Sequence, residues 1–159
     1  RDQPRSRGLG DVYKRQDNRR RPIGKIYLFG RSIGSAPAIH LAWYLQDKIT
    51  ALVIDSGFSR ISNLLMALSI KRGVSIEGLT YSDSFIDNID KLKCCQTPIL
   101  FLHGNEDSLV SKTDAEDNFN ASLAEKKEFI CVPKAGHNNL ALVGGDNYWL
   151  SISSFLDSL

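Results

Sequence analysis

Leu28-Phe29-Gly30-Arg31-Ser32-Ile33-Gly34-Ser35-Ala36 is the stretch from which the rest of the chain is read. It holds Gly-x-Ser-x-Gly directly after a short apolar run and directly before a segment whose apolar residues recur mostly at three and four. With Gly and Ser each at ~7% of residues, the bare pattern arises by chance about once in twenty chains of this length, so the context carries the weight. A strand that turns sharply into a helix holds its central serine in a strained backbone position and lifts the hydroxyl clear of the turn. Glycine is expected two residues to either side of Ser32, where a Cβ would clash.

A serine hydroxyl is a poor nucleophile until a base takes its proton, so the chain should also supply a histidine and a carboxylate to orient it. Both follow in order. Asp107 lies in His103-Gly104-Asn105-Glu106-Asp107, right after one apolar run, and His137 lies in the polar loop Ala135-Gly136-His137-Asn138-Asn139, just beyond another. The spacing predicts Ser32 as nucleophile, His137 as base and Asp107 as the carboxylate. Asp55, ending Val53-Ile54-Asp55, is the main rival for the acid because it stands one strand nearer the nucleophile, and Glu106 is a weaker one. His103 competes as base, although its place before Gly104 fits fixing the turn. His40, inside the helix after Ser32, is expected to be structural. The backbone N–H of Ile33, next after the nucleophile, is the expected first oxyanion donor.

Outward from this turn, short apolar runs at 25–29, 51–55, 99–103 and 128–132 read as strands, and 35–47, 61–71, 113–124 and 147–157 read as helices. Such alternation predicts an α/β fold with a mostly parallel sheet flanked by helices. Pro37 fits a first helical turn, where N–H groups lack partners anyway. The connection 56–97 is long for one crossover, and Leu64-Leu65-Met66-Ala67-Leu68 within it points to extra elements of the kind that shape a pocket.

Residues 1–16 are read as foreign to the fold. Asp11-Val12-Tyr13-Lys14-Arg15-Gln16 is what GAT GTG TAT AAG AGA CAG encodes, which resembles the transposon end used in sequencing libraries, and such scars are set aside before fold reasoning. They carry five of the 20 Lys and Arg and two of the 18 Asp and Glu, so without them the formal charge of +2 becomes about −1. The domain is then 17–159. Arg19-Arg20-Arg21, without interleaved aromatics, reads as a solvated turn, and no nucleic-acid partner is expected. No apolar run is long enough to span a membrane.

The three cysteines, Cys94, Cys95 and Cys131, include no Cys-x-x-Cys and are too few for a disulfide framework. They point to a reducing compartment, the cytoplasm or the cytoplasmic face of a membrane. Adjacent Cys94 and Cys95 cannot easily form an unstrained bridge, and Cys131 reads as a small core residue. No catalytic cysteine, zinc site, other metal or organic cofactor is expected.

The order Ser32, Asp107, His137, the turn around Ser32, His103-Gly104 and Ala135-Gly136-His137-Asn138 together resemble the α/β-hydrolase superfamily, from about Lys25 to the end of the chain. Phe29-Gly30-Arg31-Ser32-Ile33-Gly34 and Gly136-His137-Asn138 are similar to the small α/β-hydrolase-domain proteins of the Bem46 group, whose relatives include enzymes that remove palmitoyl thioesters from proteins. The resemblance implies a serine hydrolase acting on an acyl ester, thioester or amide without a cofactor. It also implies that the chain corresponds to the C-terminal half of the fold, because the superfamily places further strands ahead of the nucleophile. The loop that gives the second oxyanion donor belongs to that earlier part, and one such donor is worth roughly a hundredfold to a thousandfold in rate. The strand at 25–29 is then a sheet edge, and the polypeptide by itself is expected to be inactive or prone to aggregate. A non-catalytic binding protein on the same fold is the alternative, and a dinucleotide site is disfavoured because Gly30 and Gly34 do not form Gly-x-Gly-x-x-Gly.

Overall fold

In the computed structural model, residues 24–73, 75 and 86–159 are described. The adapter-like segment, Arg19-Arg20-Arg21 and the glycine-containing middle of the long connection lie outside the described residues. Four strands run through the rest: β1 (Tyr27–Arg31), β2 (Ala51–Asp55), β3 (Ile99–Gly104) and β4 (Lys127–Val132). All neighbouring pairs are parallel in the order β1-β2-β3-β4, with Arg31 opposite Asp55, Asp55 opposite Leu102 and His103 opposite Cys131. Parallel neighbours need crossovers, and helices supply them. Among the described residues the helices are α1 (Ser35–Tyr44), α2 (Ile61–Arg72), α3 (Asn88–Leu92) and α4 (Lys112–Ala121) between strands, and α5 (Leu140–Asp157) after β4.

Strands buried on both faces read as continuous apolar runs, and β2 and β3 do so. Every residue of both is buried. Their side chains alternate between two cores. Leu52, Ile54, Ile99 and Phe101 pack with Ile39, Ala42 and Leu92 on one face, while Ala51, Val53, Leu100 and Leu102 pack with Leu140, Tyr148 and Phe155 of α5 on the other. A third cluster joins Phe58, Ile61, Leu64 and Val110.

Several boundaries differ from the sequence reading. The first strand runs over Tyr27–Arg31 rather than 25–29, so Gly30 and Arg31 are the last strand residues and a 3-10 turn, Ser32–Gly34, links them to α1. The last helix begins at Leu140 instead of 147. Gly144-Gly145 hid its first turns, and the helix breaks at Gly145, whose φ of 52° is easy only for glycine. Both α1 and α4 stop three residues early, at Tyr44 and Ala121; beyond α4, Ser122 is already extended. The long connection does hold added elements, α2 and α3. Among the described residues β1 is an edge strand, with Tyr27 and Phe29 exposed.

Candidate active site

All four strands point the same way, so the segments that follow β1, β2, β3 and β4 gather along one edge of the sheet, where ligands bind in open α/β folds. Ser32 opens the turn after β1, Asp107 lies in the loop after β3 and His137 in the loop after β4. Ser32 has φ 52°, a left-handed conformation that a non-glycine residue adopts only when its surroundings enforce it. Gly30 is part of that enforcement. A Cβ there would lie 2.6 Å from Ala38 Cβ and 2.8 Å from the Gly34 carbonyl oxygen, because α1 starts tight against the strand. The matching expectation for Gly34 is corrected: a Cβ there meets nothing within 4 Å, and its φ of −66° is open to any residue.

The three predicted residues meet in one chain of hydrogen bonds. Ser32 Oγ lies 2.8 Å from His137 Nε2, and His137 Nδ1 lies 2.7 Å from Asp107 Oδ2. Since the carboxylate only accepts, the imidazole carries its hydrogen on Nδ1, which leaves Nε2 to accept from the serine hydroxyl. Asp107 Oδ1 is occupied as well, accepting from the backbone N–H groups of Leu109 and Val110 at 2.9 Å each. Burial works to raise the Asp107 carboxyl, but the His137 and two backbone hydrogen bonds outweigh it and hold it below the ordinary carboxylate value, so it stays ionised. Gly104 brings the two loops together: a Cβ on it would sit 2.3 Å from the Ala135 carbonyl oxygen. Ile33, beside Ser32, is 68% exposed, and its backbone follows the serine directly into the turn.

The rivals go elsewhere. Asp55 is buried, accepts from Ser56 Oγ at 2.8 Å and from Tyr148 Oη at 2.7 Å, and stands 3.9 Å from Arg31 Nε. Burial, then the Asp55 contact, pushes the Tyr148 phenol above its ordinary value, so Tyr148 remains a donor. His103 is fully buried and bonds the Val110 carbonyl through Nε2 at 3.1 Å, fixing the turn that presents Asp107. Desolvation lowers its pKa and keeps it neutral. Glu106 is exposed, and the His40 ring stacks on Tyr44. Cys94 is exposed, Cys95 buried and Cys131 half-buried, all as free thiols.

Sequence reasoning missed Arg31 and Asn138. The Arg31 guanidinium donates to the His137 carbonyl oxygen and, at 3.2 Å, to Asn138 Oδ1. The only sequence signal was a long cation at the variable position before the serine.

Among the described residues no helix is long and apolar enough to cross a membrane, and no group of three or more His, Cys, Asp or Glu could hold a metal ion. No family model matches the chain. Protein bem46 of Schizosaccharomyces pombe is 35% identical over 133 residues, 83% of this chain and 43% of its own length. The α/β hydrolase domain-containing protein aho-3 of Caenorhabditis elegans is 30% identical over 86% of this chain and 37% of its own. The chain thus spans less than half the length of these curated relatives. Among solved structures, an esterase of Pyrococcus furiosus superposes with a TM-score of 0.75 at 18% identity, over 92% of this chain and 58% of the esterase. The parallel sheet, its flanking helices and these likenesses give the chain an α/β-hydrolase fold, and Bem46 and α/β-hydrolase domain-containing proteins are among its relatives.

Proposed function

We propose that the protein is a serine hydrolase that transfers an acyl group through Ser32, with His137 as general base and acid and Asp107 as the carboxylate that orients it. The observation that carries this reading is the unbroken run of contacts from Ser32 Oγ to His137 Nε2 and from His137 Nδ1 to Asp107 Oδ2, anchored on a serine with φ 52°. A surface serine that merely capped a helix would need neither the strain nor the imidazole.

In the first half-reaction, Nε2 takes the Ser32 proton as Oγ bonds to the acyl carbonyl carbon. Asp107 stabilises the imidazolium without itself taking a proton. The tetrahedral oxyanion is held by the Ile33 N–H. Nε2–H then gives its proton to the leaving oxygen, sulfur or nitrogen, leaving an acyl ester on Ser32, and water repeats the sequence to release the acid. The esterase likeness motivates an ester as substrate, and the resemblance of the motifs around Ser32 and His137 extends the proposal to an acyl thioester such as a palmitoyl-cysteine.

The test is hydrolysis of p-nitrophenyl and thioester acyl substrates of graded chain length by the full-length protein. Turnover that Ser32→Ala removes supports the reading. A folded protein that turns over none of them, yet binds acyl ligands, would move it to a binding function on the same fold.

A further inference from the structure

We propose that Arg31, the residue before the nucleophile, is a positioning residue that clamps the backbone of His137 so that Nε2 stays within reach of Ser32 Oγ. This rests on the hydrolase reading above and names how the same site keeps its geometry.

The loop that carries His137 is tied firmly on one side. Lys134 N–H donates to Asn105 Oδ1 at 2.6 Å, Glu106 N–H to the Ala135 carbonyl at 2.9 Å, and Gly136 N–H to Asn139 Oδ1 at 2.7 Å. Two of these three join the loop to the segment after β3, where Asp107 sits, and the third closes the loop on itself. The nucleophile stands at the end of β1, three strands away. Among the described residues, the hydrogen bonds that join the elbow to the His137 loop are the Ser32–His137 contact and the two from Arg31. The reacting contact therefore has a parallel tie one residue away, made to the His137 carbonyl rather than to its ring.

Arginine suits this span. Its Nη2 alone serves two acceptors, the His137 carbonyl oxygen and Asn138 Oδ1, on a delocalised cation that stays charged and is more weakly hydrated than a lysine ammonium. Asp55, the register partner of Arg31 on β2, lies under the guanidinium with Nε 3.9 Å from Oδ1 and is itself held by Ser56 and Tyr148. With the Arg31 side chain 43% exposed, that ion pair is a weak source of stability. Its value is to steer the guanidinium, while the two bonds from Nη2 to the loop do the positioning.

The experiment compares full-length wild type, Arg31→Gln and Arg31→Lys by ester kinetics, fluorophosphonate labelling rate, thermal melting and amide hydrogen exchange of 134–139. Displacing reacting groups by about 1 Å costs on the order of a hundredfold, so Arg31→Gln is expected to lower kcat and labelling rate about 10- to 100-fold with KM within about twofold. Arg31→Lys should recover part of this by reaching one acceptor. Exchange in the loop should quicken in Arg31→Gln while the melting temperature holds. Wild-type kinetics in Arg31→Gln, or a loss that only follows unfolded protein, overturns the clamp and leaves the hydrolase reading intact. A folded wild type that neither turns over ester nor labels overturns both, whereas labelling confined to wild type with normal loop exchange in Arg31→Gln overturns the clamp alone.

Discussion

Tyr148 donates its phenolic hydrogen to Asp55 Oδ2 at 2.7 Å, joining α5 to the end of β2 inside the protein. With Ser56 Oγ on the other oxygen, the carboxylate that rivals Asp107 from sequence has both of its oxygens engaged away from His137. Two similar carboxylates on neighbouring strands thus have different work. One braces the sheet against the last helix, and the other faces the imidazole.

Tyr148→Phe removes that donor and leaves Asp55 Oδ2 buried without it. A stability loss of about 1–3 kcal/mol is expected from urea denaturation, because a buried acceptor keeps its desolvation penalty. Labelling of Ser32 in the folded fraction should persist. Unchanged stability would mean that the Tyr148–Asp55 bond contributes nothing net.

The two glycines of the motif should respond unequally to alanine. Gly30→Ala forces a Cβ to 2.6 Å from Ala38 Cβ and 2.8 Å from a carbonyl oxygen, so α1 must shift; overpacking of this kind costs about 1–3 kcal/mol and should disturb Ser32 as well. Gly34→Ala meets open space, and about 0.5 kcal/mol or less is expected. Chemical denaturation of both variants checks the contrast, and equal losses would contradict it.

Acid should weaken the fold in two windows. His103, its pKa lowered from 6.5 by burial, stays neutral in the folded protein while the unfolded chain takes up a proton, so stability complete above pH 6.5 declines as pH falls through that value. Asp107 and Asp114 follow lower down. For each, burial alone would raise the carboxyl, but hydrogen bonds outweigh it: from His137, Val110 and Leu109 for Asp107, and from Ser111, Ser59 and Asn63 for Asp114. Both end below 3.8, so the stability they give is complete above that value and is lost as pH falls through their folded pKa values. Urea midpoints taken from pH 2 to 8 should show both declines, and Asp114→Asn should flatten the lower one. A profile level from pH 8 to 5 would contradict the role given to His103.

Much of the candidate site's geometry was legible because its parts are local signals. The turn around Ser32 announces itself by glycine spacing between a strand and a helix, and Asp107 and His137 each sit in a polar loop just past an apolar run, which is where parallel strands deliver side chains to a common edge. What stayed hidden was tertiary. The choice between Asp107 and Asp55 depends on Tyr148, 93 residues from Asp55, and the reach of Arg31 to Asn138 spans 107 residues. No spacing rule encodes either. The start of α5 was obscured for a different reason: Gly144-Gly145 reads as a break, and the helix does break at Gly145, yet α5 is already under way at Leu140 because Leu140 is buried against Val132 and Ala135.

The most direct measurement is mass-spectrometric mapping of a fluorophosphonate adduct on the full-length protein, alongside Ser32→Ala, His137→Ala, Asp107→Asn and Asp55→Asn. One adduct is expected, on the peptide carrying Ser32, absent in Ser32→Ala, slowed at least a hundredfold in His137→Ala and strongly slowed in Asp107→Asn, with Asp55→Asn the least affected. A folded protein that forms no adduct, or one whose adduct maps to another residue, would contradict it.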